Sequence, residues 1–139
     1  DKLTLAALEA TLRLYLDPQK ALNEIPTLQM LSISNQELQQ RCEKLLPKLQ
    51  DALGDTAELN LCEASATVGG GALPLAELPG WVISLVSKNI SLTEMTNRLR
   101  RCDPPVVGRI QDDRFIIDPR TLNNDDEESL LQALKKTLV

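Results

Sequence analysis

Thr67-Val68-Gly69-Gly70-Gly71-Ala72-Leu73-Pro74 divides the chain into two stretches of different pattern. Up to Gly54 the apolar residues recur at helical spacing. Beyond the glycines the chain reads as a small module of strands and helices. Three consecutive glycines carry no Cβ, so the backbone there can turn through positive φ or come close to another group. That freedom costs conformational entropy on folding, so such a run in a compact domain has a reason. One reason is a bulge or turn between two strands; the other is backbone approaching a ligand.

Working upstream, Ala57 to Val68 alternates, with Leu59, Leu61 and Glu63 on one face and Asn60, Cys62 and Ala64 on the other, and reads as a strand running into the glycines. Ser34 with Glu37 three residues on makes a capping box, and Leu38, Cys42, Leu45, Leu46, Leu49 and Leu53 continue a helix that Gly54 stops. Pro47 inside it is expected to kink or interrupt it. Thr27 to Ile33 fits a helical turn or an extended piece. Asp17-Pro18 closes a first helix whose apolar stripe (Leu3, Leu5, Leu8, Leu12, Tyr15, Leu16) is wide enough to require packing on more than one side. Asp1 or Thr4 is placed to cap that helix. A short helix from Gln19 to Glu24 follows, with Pro18 in its first turn.

Downstream, Trp81 to Ser87 is a buried-strand pattern, and Ser91 with Glu94 opens a helix that Pro104-Pro105 ends. Val106-Val107 and Arg114 to Ile117 read as two short strands, and Asp125 to Leu138 as an amphipathic helix, acidic at its start and basic at its end. Strand, strand, helix, strand, strand, helix is the order of an α+β two-layer sandwich: a small antiparallel sheet with helices on one face, here preceded by a helical arm.

Composition narrows the chemistry. The 139 residues fit one domain with an attached arm, and they begin Asp1-Lys2-Leu3 within a helical pattern, as a piece of a longer protein would. One Trp, one Tyr and one Phe leave the core to aliphatic residues and offer no aromatic platform for stacking bases. A net charge of −5 is opposite to that of a general nucleic-acid surface. No apolar run approaches the roughly 18 residues of a membrane span, and no secretory signal is present. With no histidine, the usual general base and the Ser-His and Cys-His pairs are missing. Cys42, Cys62 and Cys102 are odd in number and widely spaced, reading as free thiols in a reducing compartment rather than as a metal site.

Two arginine groups stand out. Arg98, Arg100 and Arg101 close a helix, where they complement its C-terminus or meet a phosphate. Arg109 follows the stiff run Pro104-Pro105-Val106-Val107-Gly108, where a guanidinium can hold a carboxylate or phosphate through two hydrogen bonds; an ion pair with Asp112, Asp113 or Asp118 is the structural alternative. No lysine sits in an apolar pocket of the kind that depresses its pKa.

Four segments in order resemble the C-terminal part of the bacterial selenocysteine synthases, the L-seryl-tRNA(Sec) selenium transferases. They are Asp1 to Leu12, Glu24 to Leu31, Gly69-Gly70-Gly71-Ala72-Leu73-Pro74, and Pro104-Pro105-Val106-Val107-Gly108-Arg109-Ile110. The resemblance covers essentially the whole chain. It implies the small C-terminal domain of a fold-type-I pyridoxal-phosphate enzyme, with residues 1–26 the end of the large domain and its crossover, and residues 27–139 the small domain. It implies conversion of seryl-tRNA(Sec) to selenocysteinyl-tRNA(Sec) with selenophosphate, by a cytoplasmic homo-oligomer with no membrane part. The Schiff-base lysine is then upstream of Asp1, and this chain alone neither holds the cofactor nor turns over. Arg109 is expected to contact substrate, and Gly69, Gly70 and Gly71 to let the domain approach the cleft. The competing readings are the small domain of another fold-type-I lyase or transferase, and a non-catalytic oligomerisation or tRNA-docking module.

Overall fold

The computed structural model describes residues 1–68, 77–123 and 125–139. It separates into two compact units, residues 1–33 and 34–139.

The first unit is three short helices. α1 (Lys2–Leu14) is capped by Asp1, whose carboxylate accepts from the Thr4 N–H at 2.9 Å. α2 (Pro18–Glu24) starts on Asp17, which accepts from the N–H groups of Gln19 and Lys20, with Pro18 in the first turn. α3 (Pro26–Ser32) resolves the Thr27 to Ile33 stretch as helix, entered through Pro26. No residue of α1 is buried: Leu3, Leu5, Leu8 and Leu12, with Tyr15 and Leu16 just beyond the helix, are all at least half exposed. The wide apolar stripe therefore stands uncovered.

The second unit is the α+β body. α4 (Asn35–Leu53) begins at Ser34, whose hydroxyl accepts from the Glu37 N–H at 3.1 Å, and buries Leu38, Cys42, Leu45, Leu49 and Leu53 along one stripe. Pro47 does not interrupt it. The proline lies on the exposed surface of a helix pinned by that stripe, so the cost is one missing backbone donor rather than a break. A 3-10 turn over Gly54–Thr56, with Gly54 at φ 52°, leads into β1 (Ala57–Thr67).

β1 pairs antiparallel with β2 (Glu77–Ser87) along eleven positions, from Ala57 opposite Ser87 to Thr67 opposite Glu77. After α5 (Leu92–Leu99), capped by Ser91, come β3 (Arg109–Gln111) and β4 (Arg114–Ile117), then a 3-10 turn over Pro119–Thr121 and α6 (Asp126–Leu138). Among the described residues the sheet order is β1-β2-β4-β3, antiparallel throughout. The third strand is not Val106-Val107. Val106 turns inward and donates its N–H to the Leu99 carbonyl at 2.9 Å, closing α5, and the strand begins at Arg109. Gln111 faces Arg114 across a two-residue loop, and both loop residues, Asp112 and Asp113, take positive φ, as type I′ hairpin turns demand.

β2 lies between β1 and β4, and Val82, Ile83, Ser84 and Leu85 are all buried, so both of its faces are covered. That explains why the segment reads as a continuous apolar run rather than as an alternation. Ile83 sits opposite Ile117 and Leu85 opposite Phe115; these pairs join Leu45, Leu49 and Leu53 of α4, Met95 and Leu99 of α5, and Leu130 and Leu134 of α6 in one aliphatic core. Two glycines make room for close packing. A Cβ on Gly80 would stand 2.9 Å from Leu38 Cδ1 and 3.1 Å from Arg120 Nη2, and one on Gly108 would overlap the Phe115 ring.

Gly108→Ala is expected to lower unfolding stability by about 1–3 kcal/mol, because the Phe115 ring must leave its packed position. Pro47→Ala should raise stability by roughly 1–3 kcal/mol by restoring a helix hydrogen bond on an exposed turn. Chemical denaturation of both variants measures each shift; a neutral Gly108→Ala would contradict the packing described.

Candidate functional site

β1 and β3 are the two edges of the sheet, yet a side chain of one reaches the backbone of the other. β1 and β2 run well past the short strand β4, and the twist of a long two-stranded ribbon curls its free end back toward the sheet. Arg109, the first residue of β3, donates from Nη1 to the carbonyl of Ser65 on β1 at 2.9 Å. The clasp closes one side of a cleft of about 400 Å³. Its walls come from Ala66 and Thr67 at the end of β1, from Val106 to Arg109, from Phe115 to Asp118, and from Thr121, Leu122 and Leu130.

The lining is mostly aliphatic, with Arg109 and Asp118 as its charged members. Arg109 is half-buried, and its Nη2 is buried with no hydrogen-bond partner among the described residues. The ion pairs among those residues are Arg13–Glu9, Lys20–Glu24, Arg41–Glu37, Lys48–Glu127 and Arg98–Glu94. Asp112, Asp113 and Asp118 therefore do not neutralise Arg109. A buried guanidinium nitrogen without an acceptor costs about 1–3 kcal/mol, which an incoming oxyanion would recover. One oxygen of Asp118 is engaged locally: its Oδ1 accepts from the Arg120 N–H at 3.0 Å and caps the following turn.

Gly69, Gly70 and Gly71 lie outside the described residues. The described residues between the clasp and those glycines are Ala66, Thr67 and Val68, of which Ala66 and Thr67 form part of the cleft wall. Of the second arginine group, Arg98 pairs with Glu94 and donates from Nη1 to the Thr137 carbonyl at 3.5 Å, where it meets the C-terminal end of α6. Arg100 and Arg101 are exposed, and none of the three lines the cleft.

Sequence reading passed over Arg120. It is 7% exposed and donates from Nη2 to the Pro79 carbonyl at 3.1 Å, tying the turn after β4 to the start of β2 above the gap left by Gly80. The signal was local: Asp118-Pro119 capping the turn that carries it.

All three cysteines are free. Cys42 is fully buried, and its thiol is pushed up to about 12, first by burial and then by the negative field of Asp118, Cys62 and Glu43. Such a thiol stays protonated and is not a nucleophile. Among the described residues no group of three or more Cys, Asp or Glu side chains is placed to hold a metal ion, and no helix is long and apolar enough to cross a membrane.

Comparison with known proteins adds the following. The family model SelA, L-seryl-tRNA selenium transferase, matches residues 1–123. The chain is 49% identical over 135 residues to an L-seryl-tRNA(Sec) selenium transferase of Geotalea uraniireducens, covering 97% of this chain and 29% of the relative. The protein of the same name from Nitratidesulfovibrio vulgaris is 44% identical over 138 residues, and that from Geobacter sulfurreducens 46% over 136. They cover 99% and 98% of this chain and 29% of each relative. The chain thus spans less than a third of the length of these curated relatives.

The Cys42 shift has a pH consequence. The unfolded thiol ionises near 9.0 and the folded one near 12, so the unfolded state alone gains from ionisation between those values. Unfolding stability should fall as pH rises above 9, and Cys42→Ser or Cys42→Ala should flatten that slope. Iodoacetamide at pH 8 should label Cys42 only as fast as the chain opens; labelling at the rate of a free thiol would rule out the burial described.

Proposed function

The chain belongs to the L-seryl-tRNA selenium transferase family, and we propose that it is the C-terminal part of a pyridoxal-phosphate-dependent enzyme converting seryl-tRNA(Sec) to selenocysteinyl-tRNA(Sec) with selenophosphate. In this reading residues 1–26 are the arm through which a large cofactor domain passes into the small one, and residues 27–139 are the small domain. The uncovered stripe of α1 supports the arm, since an apolar face of that width is stable in water only when another surface covers it. The whole enzyme is a cytoplasmic homo-oligomer.

The residues of this chain do not make a pyridoxal-phosphate site by themselves. Bound cofactor supplies the electron sink of the reaction through a Schiff-base lysine. Here all seven lysines are exposed and none lines the cleft. The lysine is assigned upstream of Asp1, and no step is routed through the cofactor in this chain.

The part we assign to this chain is substrate contact by Arg109. The carrying observation is the buried Nη2 with no partner among the described residues, on a side chain already oriented by the Ser65 carbonyl. A guanidinium held by one nitrogen presents the other without further ordering, so little entropy is lost when an oxyanion arrives. The serine is esterified to tRNA and offers no free carboxylate, so the oxyanion is selenophosphate or a phosphate at the tRNA terminus. Gly69, Gly70 and Gly71 we assign to the same approach.

In the full-length enzyme, Arg109→Ala should lower kcat/KM for selenium transfer by about 10- to 100-fold, the worth of a charge-assisted hydrogen bond at a desolvated site. Arg109→Lys should recover part of it, keeping the charge and losing the fork. Unchanged transfer in Arg109→Ala would remove Arg109 from the site.

A further inference from the structure

We infer that the cleft beside Arg109 takes the terminal nucleotide of the tRNA, with the phosphate at Arg109 and the purine in the aliphatic pocket. This rests on the proposed reading and chooses between the two anions that it leaves open. Size comes first. About 400 Å³ lies in the range of clefts that enclose organic ligands, far more than a tetrahedral anion needs. Polarity comes second. The walls beyond Arg109 are mostly apolar, Val106, Val107, Ile116, Leu122 and Leu130 among them, with the hydroxyls of Thr67 and Thr121 as neutral polar groups, and give a small, strongly hydrated anion little for the water that it sheds. A flat heterocycle loses little by leaving water and packs well between aliphatic side chains.

Charge comes third. Asp118 lines the same cleft as Arg109. A ligand that is only an anion meets one attractive and one repulsive group. A ligand with an oxyanion at one end and an N–H donor at the other satisfies both. Every aminoacyl-tRNA carries its amino acid on a 3′-terminal adenosine, whose 5′ oxygen bears the phosphodiester and whose 6-amino group is such a donor. Phe115 is no stacking platform, because Gly108 lies against its ring and the residue is 1% exposed. The base is held by aliphatic packing, its amino group directed to Asp118. Seating the terminal nucleotide in the small domain would fix the ester next to whatever the large domain supplies.

The probes are adenosine 5′-monophosphate, inosine 5′-monophosphate and inorganic phosphate, titrated into the 139-residue chain at fixed ionic strength and followed by NMR at the Arg109 Nε–H and the methyl groups of Val106, Val107, Ile116 and Leu122. Adenosine monophosphate is expected to bind about tenfold more tightly than inorganic phosphate and to move both the guanidinium and the methyl signals. Inosine monophosphate, with a carbonyl in place of the amine, is expected to bind several-fold more weakly than the adenine nucleotide, and Asp118→Asn to narrow that difference. If adenosine monophosphate and inorganic phosphate bind equally and only the Arg109 signal moves, the nucleotide pocket is wrong while the anion role of Arg109 stands. If neither moves the Arg109 signal, both assignments fall.

Discussion

Everything in the larger unit depends on one strand being satisfied on four sides. β2 is hydrogen-bonded to β1 along one edge and to β4 along the other, and its residues from Val82 to Leu85 are buried on both faces. A strand in that position has no solvent to hydrate its backbone or its side chains, so its neighbours must supply every hydrogen bond and every apolar contact. β1 supplies eleven paired positions and β4 only three. The asymmetry leaves the N-terminal half of β2 without a second strand, and there the turn after β4 takes over, through Arg120 on the Pro79 carbonyl.

The cleft is a by-product of that same asymmetry. Because β1 and β2 outrun β4, the end of β1 is free to curl toward β3, and the Arg109–Ser65 hydrogen bond joins two strands that the sheet order keeps furthest apart. Gly108 is what permits it. With no side chain, it lets the backbone lie on the Phe115 ring and delivers Arg109 to the rim at close range. The arginine is thus oriented by main chain through Nη1, while its Nη2 is buried with no hydrogen-bond partner among the described residues.

Family membership and the residue-level account answer different questions. The match along the chain places it in the selenium transferase family. It does not by itself say which side chain meets which substrate, because activity in such an enzyme is assembled from more polypeptide than these residues. The chain's own chemistry comprises exposed lysines, a thiol held protonated at Cys42, and one guanidinium nitrogen with no hydrogen-bond partner among the described residues.

By itself the sequence determined the elements and their order. Caps at Ser34 and Ser91 and the proline entry at Pro18 are short-range signals, written in neighbouring residues, and each appears where its pattern put it; the apolar run at Trp81 to Ser87 is strand, but the strand starts at Glu77, in a Pro-bounded stretch that reads as loop, because pairing with β1 continues to Thr67. It also singled out Arg109 as unusual. The tertiary structure decided the rest. Pro47 stays in a continuous helix because five buried side chains outweigh one lost donor. Val106 closes a helix instead of forming a strand, because the Leu99 carbonyl lies within reach of its N–H. Asp112-Asp113, with no glycine to announce a turn, takes positive φ because the β3–β4 pairing leaves only two residues to reverse the chain. The partner of Arg109 is Ser65, 44 residues away in sequence, a distance over which no local pattern carries information.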